Sequence, residues 1–130
     1  MEQIIVQHLT ETICPHTIIL FGSMAKGNLH KESDVDIAFL SHQAPTEYEI
    51  FMVAQALADK LGTEVDLVDL NRASTVFQAQ IIGKGKILLD REPSRRMTFF
   101  MRALKEYAML NEERKPIFDR MVERGSLYRE

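Results

Sequence analysis

Apolar residues along this chain alternate between helical and extended spacing. Four stretches carry them at helical intervals: 2–13, 46–62, 73–82 and 93 onward. Four short runs rich in β-branched and aromatic residues have the spacing of strands: 17–21, 34–40, 64–70 and 86–89. This order predicts an α+β (mixed α/β) domain, with a small mixed sheet of about four strands flanked by helices and with further helices at the C-terminus.

Proline and glycine residues set the expected ends of the helices. Pro15 should end the first helix, and Gly83 should end the third. Pro116 is expected to divide the C-terminal region into two helices. The pattern therefore predicts a core over residues 1–92 and a helical tail over residues 93–130.

The most informative polar residues lie where strands meet loops. Gly22 and Ser23 follow the first strand, and Asp34 and Asp36 open the second. Because side chains alternate along a strand, these two acids share one face, about 7 Å apart. Paired carboxylates on a strand suit Mg²⁺, and backbone amides beside a glycine suit a phosphate.

The third strand adds another carboxylate. If Val65 and Leu67 pack on the helices, Asp66 lies on the same face as the acids of the second strand. Three carboxylates on adjacent strands suit two metal ions about 3.5–4 Å apart, an arrangement that serves phosphoryl displacement. Asp69 is expected on the opposite face or at the strand end, where it would cap the next helix. Asp66 is thus favoured as the third acid, with Asp69 as the alternative.

These residues resemble the motif of the DNA polymerase β-type nucleotidyltransferases, and the short chain is similar to the minimal branch of that superfamily. The resemblance covers roughly residues 17–90 and consists of the following parts: Phe21-Gly22-Ser23-Met24-Ala25-Lys26-Gly27, Ser33-Asp34-Val35-Asp36 and Val65-Asp66-Leu67-Val68. Lys26 stands where the family often has arginine, and a lysine meets a phosphate as a point charge rather than as a fork.

The resemblance implies an enzyme that uses ATP with two Mg²⁺ ions, Mn²⁺ being a possible substitute. Three acids would be catalytic and would bind the metal ions: Asp34, Asp36 and Asp66. Three residues of the first loop would contact the triphosphate: Gly22, Ser23 and Lys26.

Length and charge bear on the acceptor of the nucleotidyl group. The chain has 130 residues, a net charge of −3 and a single cysteine, Cys14, which excludes an internal disulfide. Residues 1–90 carry 6 Lys/Arg against 12 Asp/Glu, whereas residues 91–130 carry 10 against 7. Only about forty residues follow the core, which leaves little room for a separate acceptor domain.

The resemblance to the minimal branch implies an antitoxin that transfers AMP from ATP to a tyrosine hydroxyl of a cognate HEPN-type ribonuclease toxin. The basic tail would be its docking surface. Two alternatives stay open: a module that masks the toxin without catalysis, and a small-molecule nucleotidyltransferase of the aminoglycoside type. Nucleic acid is not an expected partner, because the acidic body lacks an evident basic groove. A cytoplasmic protein is expected, since no apolar run approaches the roughly 20 residues that span a membrane.

Overall fold

The structure, a computed structural model, describes residues 1–22 and 34–123, with side chains through residue 111. Its helices and strands follow in this order: α1 (Glu2–Thr12), β1 (Pro15–Phe21), β2 (Val35–Ser41), α2 (Glu47–Leu61), β3 (Val65–Asp69), a 3₁₀ turn (Leu70–Arg72), α3 (Thr75–Lys84), β4 (Lys86–Asp90) and α4 (Pro93–Glu123). The predicted α+β class is confirmed.

The four strands form one mixed sheet in the order β3-β2-β1-β4. Strand β1 pairs antiparallel with β2 and with β4, whereas β2 and β3 are parallel. Parallel neighbours need a long crossover connection, and α2 supplies it between β2 and β3. The two central strands are almost entirely buried, because helices cover both faces of the sheet.

Each face of the sheet carries its own apolar cluster. Helices α1 and α2 pack on one face, with a core made of the following residues: Ile5, Leu9, Ile13, Ile18, Leu20, Val35, Ile37, Phe39, Ala54, Leu57 and Leu67. Helices α3 and α4 pack on the other face, around a smaller cluster: Ile19, Ala38, Leu40, Leu70 and Ile81, with Phe77, Phe99 and Phe100 against it. Alternate residues of β1 and β2 thus point to opposite faces, as the period of two predicts.

A capping box opens α2. The Glu49 amide donates to the Thr46 hydroxyl at 3.1 Å, and the Thr46 amide donates to the Glu49 carboxylate at 3.0 Å. Gly62 follows the last turn with φ +70°, the left-handed conformation that a glycine adopts without steric cost.

The first helix ends earlier than Pro15. Helix α1 stops at Thr12, and Cys14 turns the chain with φ +44°. Pro15 is instead the first residue of β1, a position where a strand tolerates the missing N–H. The proline therefore marks the start of a strand rather than the end of a helix.

The expected end of the third helix at Gly83 is also wrong. Helix α3 continues to Lys84, and Gly85 caps it by donating its amide to the Ile81 carbonyl at 2.8 Å. A Cβ at Gly85 would lie 2.6 Å from that carbonyl oxygen and would collide with the Ile19 side chain. A Cβ at Gly83 would meet nothing within 4 Å. The close approach of the chain to β1, rather than helix propensity, determines which glycine ends α3.

The C-terminal region forms one helix instead of two. The backbone of α4 is helical from Pro93 to Glu123, through Pro116. A proline inside a helix removes one hydrogen bond and crowds an earlier carbonyl, which kinks some helices and ends others. Here the backbone stays helical on both sides of the proline. At 1.5 Å per residue, the 31 residues of α4 span about 46 Å.

Candidate active site

The end of β1 and the start of β2 meet at a glycine and an acid. Antiparallel pairing places Phe21 opposite Asp36, and Gly22 follows with φ +76°. A Cβ at Gly22 would collide with the Asp36 carboxylate. There are therefore two reasons for a glycine at position 22. The backbone has a positive φ, and the chain lies too close to the Asp36 carboxylate to leave space for a Cβ.

Phe21 is held in place by an aromatic contact with α3. Its ring lies 5.7 Å from the ring of Phe77, centroid to centroid, at an interplanar angle of 83°. Edge-to-face pairs of this kind contribute about 0.5–1.5 kcal/mol beyond the burial of their surface. The contact fixes the last residue of β1 just before the chain reaches Gly22. Phe77 could not be singled out from the sequence, because it is one of several apolar residues in a predicted amphipathic helix.

Two acids lie side by side on the parallel strands. The register of β2 and β3 pairs Asp36 with Asp66, while Val35 pairs with Val65 and Ile37 with Leu67. Since Val35, Ile37 and Leu67 belong to the α1/α2 core, the two carboxylates point to the other face, where α3 and α4 pack. Strands in a sheet lie about 4.8 Å apart, so the acids are near neighbours.

The surroundings of Asp36 disfavour its charged form. Burial raises the pKa of Asp36 above its usual 3.8, and the negative charges of Asp66 and Asp34 raise it further. In the part of the chain that the structure describes, none of these three acids forms a salt bridge. Carboxylates that repel one another without a compensating cation are typical of sites that bind a cation or protonate a substrate.

The donor set fits a hard divalent cation. Within residues 1–22 and 34–123, no three His, Cys, Asp or Glu side chains are already gathered around one point where a metal would sit. Mg²⁺ usually takes only one or two protein carboxylates and completes its shell with water and substrate phosphates. Asp36 and Asp66 are such a pair, and Asp34 is exposed immediately before β2.

Asp69 lies apart from these acids and has a structural role. Its carboxylate accepts a hydrogen bond from the Asn71 amide at 3.1 Å and thereby caps the 3₁₀ turn, and it lies 3.5 Å from the Arg72 guanidinium. Asp69 pairs with Phe39 in the sheet and is buried. The predicted capping role is confirmed, and both carboxylate oxygens of Asp69 have partners in the turn that follows β3.

Part of the predicted triphosphate site lies outside the described residues. Ser23 and Lys26 fall between the two described ranges, so the structure places neither of them relative to Gly22. The geometry that can be stated is that of one glycine and three acids: Gly22, Asp34, Asp36 and Asp66.

The fold thus sets one acid from each of two parallel strands beside a glycine turn, and comparison with known proteins shows the family. Residues 3–94 match the family described as polymerase beta, nucleotidyltransferase, and the chain belongs to that family. It is 38% identical over 102 residues to the protein adenylyltransferase MntA of Shewanella oneidensis, an alignment that covers 78% of this chain and 73% of the relative.

Solved structures agree over nearly the whole chain. A chain in the crystal structure of a toxin–antitoxin with AMP-PNP superimposes with a TM-score of 0.83 at 35% identity, covering 93% of this chain and 98% of that chain. Another, from the tri-AMPylated Shewanella oneidensis HEPN toxin in complex with MNT antitoxin, gives a TM-score of 0.77 at 33% identity and covers 93% and 95% of the two chains. In the described part of this protein, no helix has the length and apolar character needed to cross a membrane.

Proposed function

We propose that this protein is an antitoxin that transfers AMP from ATP to a tyrosine hydroxyl of a cognate HEPN ribonuclease toxin and thereby neutralises it. The observation that carries this proposal is the register that sets Asp36 beside Asp66, with Gly22 against the Asp36 carboxylate. The similarity to MntA and to chains from toxin–antitoxin complexes supports the acceptor class.

In the proposed reaction one bond forms and one breaks at phosphorus, and one proton is transferred. The tyrosine oxygen attacks the α-phosphorus of ATP, the bond from that phosphorus to the bridging oxygen breaks, and pyrophosphate leaves with the electron pair. The hydroxyl proton passes to a nearby base. Asp66 would either accept this proton or complete the metal site on the side of the attacking oxygen. Gly22, Ser23 and Lys26 would hold the phosphates that leave.

Two Mg²⁺ ions, or Mn²⁺ in their place, would be held by Asp34, Asp36 and Asp66 and would offset the negative charge that gathers on the phosphates. The raised pKa of Asp36 supports this assignment. Burial and the neighbouring negative charges destabilise the ionised carboxylate, and a bound cation would offset both effects. The proposed place of action is the cytoplasm.

The proposal also divides the chain into two regions. Residues 1–92 would form the transferase core, and residues 93–130 a helical tail that contacts the partner. Helix α4 packs on the core through Phe99, Phe100 and Ala103 and extends well past them.

The test incubates the purified protein with ATP, Mg²⁺ and the product of the adjacent gene, followed by intact-mass spectrometry of that product. The mass should rise in steps of one AMP, and chelation of the divalent ions should abolish the rise. Asp36→Asn should give no added mass, whereas Asp59→Asn, a matched change on the exposed surface of α2, should behave as wild type. An unmodified partner in the wild-type reaction contradicts the proposal.

Neutralisation in cells separates catalysis from masking. If catalysis is required, the double variant Asp34→Asn, Asp36→Asn should no longer protect cells from the toxin. If that variant still protects while the purified toxin stays unmodified, the protein acts as a binding module.

A further inference from the structure

Phe21, Asp36 and Asp66 form a row across three strands of the sheet. Antiparallel pairing sets Phe21 opposite Asp36, and parallel pairing sets Asp36 opposite Asp66. Paired residues on neighbouring strands stand on the same face, with about 5 Å between their Cβ atoms. The Asp36 side chain therefore stands between the Phe21 ring and the Asp66 carboxylate, on the face where α3 and α4 pack.

Packing, rather than hydrogen bonding, orients the Asp36 carboxylate. Within the described residues it accepts no hydrogen bond, and its charged neighbours are other acids. Asp90 differs, because the Arg96 guanidinium donates to it at 2.9 Å. An acid without such a donor keeps its position through the groups packed around it. For Asp36 these groups include the Gly22 backbone and the Phe21 side chain.

Phe77 of α3 is the residue whose ring meets Phe21. The two rings lie edge to face at 5.7 Å, which is a preferred geometry for an aromatic pair. Phe77 also borders, together with Val68 of β3, a hollow of about 280 Å³ at the edge of the sheet. Because β2 lies between β1 and β3, a ring in this position spans the strand that carries Asp36. Val68 shares the face of Asp66, two residues earlier, so Phe77 stands immediately behind the two acids.

The surroundings of Phe77 differ from those of the sealed core. Its ring is partly exposed and borders an open hollow, whereas Ile81, one turn later on α3, is 1% exposed and belongs to a buried cluster with Ile19. Removing the ring would enlarge a space that water already reaches, so it should cost less stability than a closed cavity in the core. The contact with Phe21, more than the area that is buried, distinguishes this position.

We propose that Phe77 is a positioning residue of the proposed active site: by holding Phe21 beside Asp36, it keeps that carboxylate where it binds a divalent cation. Groups that bind a metal ion must be held within about 0.5 Å of the productive geometry, by neighbours whose own rotamers are fixed by packing. An aromatic pair supplies that restraint without a hydrogen bond. The inference rests on the proposed function, because it takes Asp36 as a ligand of the cation.

The test measures cation binding directly, with Mn²⁺ as the probe and with neither ATP nor toxin present. Electron paramagnetic resonance measures the free Mn²⁺ at each addition and gives a Kd. Phe77→Leu removes the ring but stays apolar, and it should raise this Kd by about tenfold, the lower end of the range for residues that orient metal ligands. Phe77→Tyr keeps the ring and should bind Mn²⁺ as wild type does. An unchanged Kd in Phe77→Leu would contradict the proposal.

The matched control is Phe100→Leu. Phe100 is a partly buried ring that packs on the same apolar cluster, but its printed neighbour is the Arg96 guanidinium, 5.2 Å from its centroid, and not Phe21. This variant should lose a similar amount of stability in urea denaturation and keep the wild-type Kd for Mn²⁺. If it weakens Mn²⁺ binding as much as Phe77→Leu does, the effect is a general loosening of the fold and the proposal is overturned.

A double-mutant cycle tests whether Phe77 acts through Phe21. Phe21→Leu should also weaken Mn²⁺ binding, and the double variant should bind no more weakly than either single variant, because the same restraint is lost in each. Additive losses would mean that Phe77 acts independently of Phe21, which contradicts the proposal. If circular dichroism shows that Phe77→Leu does not fold, Phe77→Met, which fills the gap flexibly without a ring, replaces it with the same expected results.

Transfer kinetics with the cognate toxin separate this inference from the proposed function. Phe77→Leu should lower kcat and leave the KM for the toxin unchanged, because a displaced cation affects the reacting phosphate and not docking. If wild type binds Mn²⁺ but does not modify the toxin, the proposed function is at fault, and the Kd comparison still decides the role of Phe77. If wild type binds no Mn²⁺, Asp36 has no cation to hold and the proposal is overturned.

Discussion

The two ends of the central strands differ in how their acids are compensated. At the end where β1 finishes and β2 begins, Asp36 and Asp66 lie side by side with no cation among the described residues, and the pKa of Asp36 is raised by burial and by the neighbouring acids. We call this the acid end. Its arrangement lowers the stability of the fold, because it gathers like charges at the surface of a packed sheet.

At the opposite end, which we call the paired end, each acid has a partner. The Arg96 guanidinium donates to the Asp90 carboxylate at 2.9 and 3.1 Å. Glu92 accepts from Arg95 at 3.0 Å and lies 2.7 Å from His42. These contacts join the start of α4 to β4 and to the end of β2, so the charges here hold elements together.

The contrast supports the proposed site more directly than composition does. Acids that have a cationic partner stabilise the fold. Acids that repel one another cost stability, and such groups are typical of binding or catalytic sites. Asp69 follows the same rule. It comes only three residues after Asp66, but its carboxylate caps the 3₁₀ turn and contacts Arg72. Four changes test whether the distinction holds.

The largest effect is expected at Gly22. In Gly22→Ala the new Cβ would meet the Asp36 carboxylate, and the chain would have to shift or the acid would have to turn away. Because a misplacement of about 1 Å in a catalytic site costs about a hundredfold in rate, kcat/KM for AMP transfer should fall by at least that factor.

The control for this change is Gly62→Ala. Gly62 has nearly the same φ, +70° against +76°, but a Cβ there meets nothing within 4 Å. It should cost about 1 kcal/mol of stability for the left-handed backbone and leave transfer unchanged. Equal losses of activity in both variants would mean that the contact with Asp36 is unimportant.

The second effect concerns stability at the two ends. Asp90→Asn removes the charge that holds Arg96, and this pair is only 20–23% exposed, so the free energy of unfolding should fall by about 2 kcal/mol, between the values for exposed and buried pairs. Asp36→Asn should leave stability unchanged or raise it, because it relieves repulsion. Urea denaturation at neutral pH without divalent ions measures both. A destabilised Asp36→Asn would show that the acid end is also structural.

The third effect is the response to a divalent cation. Mg²⁺ should stabilise wild type, by about 1.4 kcal/mol at ten times its Kd, because it binds the folded acids and not the unfolded chain. Asp66→Asn should lose most of this gain, whereas Asp90→Asn should keep it. The melting temperature over a Mg²⁺ titration gives the comparison, with KCl at equal ionic strength to exclude screening. The same gain in all three proteins would place the cation elsewhere.

Much of the acid end could be predicted from alternation in two strands. With Val65 and Leu67 on the core side, Asp66 had to share a face with Asp36, and the observed register pairs the two. The functional roles of these residues stay a prediction. The contact that makes Gly22 necessary needed coordinates, since it depends on the pairing of β1 with β2.

The paired end could not be predicted, because its contacts join residues far apart in the chain. Nothing in the sequence links His42 to Glu92, fifty residues later. The end of α3 could not be predicted for the same reason, because Gly85 is selected by the Ile19 side chain of another strand. The continuity of α4 is a separate case, since a proline in a helical pattern is compatible with either a kink or an end.

The smallest effect is expected at His16, which is buried at the paired end. Its Nδ1 lies 2.8 Å from the Thr17 hydroxyl, and its ring centroid lies 5.1 Å from that of His42. Burial lowers the pKa of His16 below 6.5, and the nearby His42 and Arg95 lower it further, although Glu92 acts in the opposite direction. The folded protein therefore takes up this proton less readily than the unfolded chain.

The sign of the pH effect follows from that difference. The stability that the neutral ring contributes is present above pH 6.5 and is lost as the pH falls below it, because protonation then favours the unfolded chain. Urea denaturation from pH 7.5 to 5 should show a decline in wild type that is shallower in His16→Asn, since the carboxylates titrate alike in both. His42→Gln should keep most of the decline, because burial is the larger cause and remains. Parallel curves for wild type and His16→Asn would show that this histidine binds its proton equally well in the folded and the unfolded chain, which contradicts the lowered pKa.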